Sequence, residues 1–136
     1  MPTVSRWMIR ISLIYFVLSA AIGMCLLLNK AYPFYPEIWK FLPIHIELMI
    51  FGWLIQFTLG TAYWILPRFL KNKARGNLGM AITIPILLNG GIWLVVLSSS
   101  IFNINSLAKI GRILELLSVV VFITLHWKRI VSYNVS

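Results

Sequence analysis

The sequence predicts an all-α integral membrane protein, a single bundle of four transmembrane helices occupying residues 1–136. Three observations predict it. The first is composition: Ala, Val, Ile, Leu, Met, Phe, Trp, Tyr and Cys make up 60% of the 136 residues and charged residues only 11%, against about 25% charged in an ordinary soluble chain. There is no Asp, there are three Glu, and the mean hydropathy is +0.91. A chain of this size cannot hide so much apolar surface behind a polar shell. The second observation is the division of that surface into four long runs. The third is the placement of the twelve Lys and Arg in short flanks between the runs, as in membrane proteins that set their topology by charge. The same composition excludes disorder, and a lone Cys25 excludes a disulfide scaffold. The net charge of +9 forms no stripe along one face, so nucleic acid is not expected as a partner. The expected surroundings are the lipid bilayer and other membrane subunits or a second copy of the chain.

A spanning helix needs roughly 20 mostly apolar residues. The runs that qualify are residues 11–28, 44–66, 78–101 and 110–127. The first follows Arg6 and Arg10, as a signal peptide would. Its apolar run is longer than a signal core and no A-x-A site follows, so it reads as an uncleaved span.

Orientation follows from counting cations. Arg6, Arg10, Arg68, Lys71, Lys73, Arg75, Lys128 and Arg129 fall on one side; Lys30, Lys40, Lys109 and Arg112 fall on the other. The richer side is expected in the cytoplasm, with both termini, in the inner (cytoplasmic) membrane. The loop from Asn29 to Pro43 carries five aromatic residues and three prolines. Prolines forbid a continuous helix and aromatic rings favour the headgroup layer. The loop is therefore expected on the outer interface, with one helical turn around Glu37 to Phe41. It would serve as a depth anchor or, on a functional reading, as a lid or docking surface.

The second span carries the most information. On a wheel of about 100° per residue, His45, Gly52, Gln56, Gly60 and Tyr63 share one stripe, with Met49 at its edge. Ile50, Phe51 and Trp64 point toward lipid. Glu47 lies opposite, near the outer end, where it would reach water or Lys40. Two readings of the stripe stand together. In one, the glycines permit close helix contact and Gln56 and Tyr63 bond to neighbouring helices. In the other, His45 ligates a metal or haem iron and the glycines make room for a flat macrocycle.

The stretch from His45 to Arg68, HIELMIFGWLIQFTLGTAYWILPR, resembles the second transmembrane helix of subunit I of the haem-copper oxidases, the superfamily of cytochrome c oxidases and nitric oxide reductases. It resembles above all the branch that contains the nitric oxide reductases and short, stand-alone subunit-I-like proteins. His45 at the outer end, Gly60, the pair Tyr63-Trp64 and the stop Pro67-Arg68 carry the likeness, closely over residues 45–68 and loosely over the four-span layout. The resemblance implies respiratory electron transfer and a haem b with His45 as an axial ligand. Short homologues often read H-x-H here, and this chain has Glu47 at the second place. The chain has two His in all, His45 and His126. The copper ligands and the high-spin haem ligand are missing, so the family's chemistry would not run on this chain alone.

His45 and His126 sit at opposite ends of their spans, across about 30 Å of hydrocarbon, and cannot share one iron in a monomer. His126 is expected in a Trp-Lys-Arg anchor at the interface. The sixth ligand would be Met24, His45 of a second copy, or a residue of another subunit. Otherwise no haem binds and the chain is a cofactor-free accessory or assembly subunit of a respiratory complex. In the third span, Pro85 predicts a kink, Gly90-Gly91 allow a close helix approach, and Asn89 is placed to bond across the bundle. In the fourth, Arg112 and Glu115 predict a solvated pair. No zinc spacing, phosphate loop, catalytic triad or paired-carboxylate site is present.

Overall fold

The computed structural model describes residues 1–67, 75–99 and 105–131, with the side chains of 128, 129 and 131 excepted. Four long helices account for nearly all of it, and no strand occurs among the described residues. Helix α1 spans Thr3–Ala31. A 3-10 turn, Pro36–Phe41, follows, where the sequence predicted one, and it continues into a second helix. This α2 is a composite: α-helical at Leu42–Glu47, π-helical at Leu48–Ile55 and α-helical again at Gln56–Ile65. Helix α3 spans Leu78–Leu97 and α4 spans Asn105–Val131. Three of these, Thr3–Ala31, the segment Pro36–Ile65 and Leu78–Leu97, are long and apolar enough to cross a membrane. The first is longer than its apolar run, because Ser5 and Met8 give the polar N-terminal flank a buried face. The predicted third span ran on to residue 101, and residues 100–104 lie outside the described residues.

Paired contacts fix the topology. Ser5 donates its hydroxyl to the Gly60 carbonyl, and Ser19 donates to the His45 carbonyl at 2.9 Å. Rising numbers on α1 therefore meet falling numbers on α2, and the two are antiparallel. Ser118 Oγ donates to Ile84 O at 2.8 Å, and a Cβ on Gly91 would stand 2.7 Å from Gly111 O, so α3 and α4 are antiparallel too. Arg112 bonds Glu47, and the His126 ring meets Tyr63 edge-on, so α2 and α4 run parallel. The start of α1 and the end of α4 thus lie at one end of the bundle.

On α1, Ser5, Ser12 and Ser19 recur every seven residues and are all fully buried. Small side chains at this spacing let a second helix approach closely, and α2 answers with glycines. Between α3 and α4 the backbones themselves touch at Gly91 and Gly111. The two pairs join through a core of Tyr15, Leu48, Tyr63, Ile84, Leu88 and Ile92. Tyr15 donates to Asn89 Oδ1 at 2.7 Å, the cross-bundle bond expected of Asn89. The turn into α3 uses Gly76 at φ 91°, a left-handed conformation that suits glycine, and Asn77 caps the helix by accepting from Gly79 N at 2.8 Å.

Candidate functional site

His45 sits in the first turn of α2, beyond Pro43 at the helix start, and its ring lies against α1. Its Nδ1 is 2.8 Å from the Ser19 carbonyl oxygen. A carbonyl only accepts, so Nδ1 is the donor, and in the neutral ring Nε2 keeps its lone pair. Metal-ligating imidazoles are fixed in this way by a carbonyl on the far nitrogen. Gly23 makes the arrangement possible: a Cβ there would be 2.6 Å from His45 Cε1. His45 and Met24 line one groove of about 580 Å³, together with Ala20, Gly23, Lys30 and Trp39. A nitrogen donor and a thioether therefore face one space, and this pair fits the ligand chemistry of a haem iron.

The other two residues singled out for a macrocycle lie elsewhere. A Cβ on Gly52 would meet the Tyr15 ring at 2.8 Å, and one on Gly60 would meet Met8 Cβ at 2.9 Å. Both glycines are filled by α1 side chains and belong to helix contact, not to the His45 groove. The stripe itself holds: Gly52, Gln56, Gly60 and Tyr63 are buried, while Ile50 and Trp64 are exposed. Phe51 departs from it. Rather than facing lipid alone, it is half-buried against the core, with the Arg112 guanidinium 4.8 Å above its ring.

Sequence reasoning missed a charged cluster. Glu47 does not reach water or Lys40; it is 1% exposed, and Lys40 pairs with Glu37 instead. Arg112 Nη2 lies 2.7 Å from Glu47 Oε2 and Nη1 lies 2.9 Å from Glu115 Oε2. The predicted Arg112–Glu115 pair is present, but it is not a solvated one, because Glu115 is 2% exposed. One guanidinium thus serves two buried carboxylates. The second oxygens of both, Glu47 Oε1 and Glu115 Oε1, are buried without a hydrogen-bond partner, as is Gln56 Oε1. The signal that could have found this cluster is Arg112 itself. A cation one turn inside an apolar run needs a counter-charge, and Glu47 and Glu115 are the two carboxylates at its depth.

His126 is corrected as well. It is 2% exposed, not interfacial, with Nδ1 2.7 Å from Phe122 O and its ring edge-on to Tyr63 at 5.6 Å. Tyr63 stands eighteen residues along α2 from His45, about 27 Å at helical rise, so the two imidazoles lie at opposite ends of the bundle. Among the described residues no three His, Cys, Asp or Glu group together. No family model, no curated protein and no solved structure matches the chain.

Proposed function

We propose that the chain is a small subunit-I-like protein of the inner (cytoplasmic) membrane that serves respiratory electron transfer and binds one haem b through His45. The proposal includes four spans with both termini cytoplasmic. Helix α4 has 27 residues, about 40 Å at helical rise and enough to cross, and the count of flanking cations sets the orientation. One observation carries the haem reading: Ser19 holds His45 in the tautomer that presents Nε2, on a groove that also takes the Met24 thioether. The likeness of residues 45–68 to the second helix of subunit I points the same way.

In this reading a bound haem supplies one-electron transfer. Ser19 orients the imidazole, Gly23 gives its ring room, and Met24 or a residue of a partner takes the sixth position. Lys30 places a cation at the groove for the acidic groups such a cofactor carries. The test is an absorption spectrum of protein produced with ample haem and isolated with its native partners. His45→Ala abolishes the Soret band and His126→Ala leaves it. A Met24 ligand or a second His gives distinct near-infrared charge-transfer bands, and a haem shared by two copies gives about half a haem per chain. A wild-type protein without Soret absorbance overturns the reading.

A second reading is favoured by the filled glycines. With Tyr15 against Gly52 and Met8 against Gly60, the small-residue surface of α2 is already satisfied within the chain. The protein is then a cofactor-free accessory or assembly subunit packed in a respiratory complex.

A further inference from the structure

At the end of the bundle away from His45, α1 and α3 diverge. The space between them is a groove of about 650 Å³ lined by Thr3, Trp7, Ile11, Tyr63, Ile82 and Ile86. It runs along α3 from Leu78 to Asn89, a rise of about 16 Å. That matches half of the hydrocarbon layer of about 30 Å, the depth of one leaflet. Its deep end is closed where Asn89 takes the Tyr15 hydroxyl. Its walls are almost wholly apolar, and two arginines stand beside the α1 residues that line it. Arg6 Nη2 donates to Thr3 Oγ1 at 3.4 Å, and the Arg10 guanidinium lies 6.0 Å from the Trp7 ring centre. Two arginines are thus each held on a residue that lines the groove.

Among the described residues these cations pair with no Glu. The three Glu of the chain are Glu37, Glu47 and Glu115. Glu37 pairs with Lys40 in the turn after α1, and the other two share Arg112, all toward the opposite end. An apolar slot one leaflet deep with two cations beside it has the form of an amphiphile whose head is an anion. We propose that this groove binds one anionic phospholipid, with an acyl chain between α1 and α3 and the phosphate at Arg6 and Arg10. The site is independent of any cofactor at His45.

The test uses the full chain in nanodiscs of phosphatidylcholine containing a small, equal fraction of brominated phosphatidylglycerol or brominated phosphatidylcholine. Trp7 is the reporter, and its fluorescence is the difference between the wild type and Trp7→Phe. Brominated phosphatidylglycerol is expected to quench Trp7 at a lower mole fraction than brominated phosphatidylcholine, by about five-fold for each arginine engaged. The double variant Arg6→Gln, Arg10→Gln is expected to lose the preference while Trp7 stays quenchable. Equal quenching by both lipids in the wild type overturns the proposal, leaving ordinary boundary lipid. No quenching by either overturns it in favour of a protein seated in the groove. Loss of the preference on adding inorganic phosphate at fixed ionic strength overturns it in favour of a headgroup-only anion site.

Discussion

Arg112 holds two carboxylates that would otherwise lie bare in an apolar setting. Removing one member of a buried ion pair strands its partner, at a cost of about 3–5 kcal/mol. Arg112→Gln strands both Glu47 and Glu115 and is expected to destabilise by about 3 kcal/mol, read as a lower thermal midpoint in detergent. Glu47→Gln leaves the guanidinium with Glu115 and is expected to cost less. If the two variants melt alike, the guanidinium is not the centre of the cluster. Gly60 gives a second test at this scale. A Cβ already meets Met8 at 2.9 Å, so Gly60→Leu forces α1 away from α2 and is expected to cost about 1–3 kcal/mol. A variant as stable as the parent would show that α1 does not sit on Gly60. The packing of the His45 ring against another helix was legible from its place at the head of a polar stripe. Gly23, which makes room for it, was not, because nothing local marks a glycine that serves another helix.

The element that resisted prediction is α2. Among its buried residues, Ile44, Leu48, Gly52, Gln56 and Gly60 recur every four positions, while Glu47, Leu59 and Tyr63 widen the buried face; a spacing of four suits a turn wider than the 3.6 residues of an α-helix. The π-helical stretch Leu48–Ile55 supplies that wider turn. A wheel of about 100° per residue still found the stripe, because a step of four drifts slowly, but it misplaced Phe51. Glu47 was misjudged for another reason: α2 has helices on two sides, so the face opposite His45 is also buried. The pairing of α3 and α4 was foreshadowed by Gly90-Gly91, although only one of the two glycines bears on it. A Cβ on Gly91 would lie 2.7 Å from Gly111 O, whereas one on Gly90 comes no closer than 4.0 Å to Leu114. Gly91→Ala is therefore expected to lower stability by about 1–3 kcal/mol, with Gly90→Ala close to neutral. Equal effects in thermal melts would place the contact elsewhere.

At the scale of the molecule, apolar run lengths located the four long helices of the described residues, while helix ends and burial of polar residues depended on neighbours that a run cannot reveal. Sidedness is testable directly. With Cys25, which is exposed, replaced by Ala, single cysteines at Thr3 and Arg75 should react with an impermeant thiol reagent only after cells are opened. A cysteine at Lys40 should react in intact cells. Labelling of Thr3Cys or Arg75Cys from outside would reverse the orientation drawn from the cation count. The positions Arg68, Lys71 and Lys73, which weigh in that count, lie outside the described residues, as does Ser136.

The bundle is two antiparallel hairpins, α1 with α2 and α3 with α4, each zipped by small residues and joined to the other by a few polar ties: Tyr15 to Asn89, Glu47 to Arg112, and Tyr63 against His126. During synthesis the first hairpin leaves the ribosome with Glu47 already in place and the guanidinium that neutralises it some 65 residues behind. Until the second hairpin docks, Glu47 is without its cation. A chain that ends before Arg112 would leave that carboxylate without the guanidinium it bonds in the folded bundle.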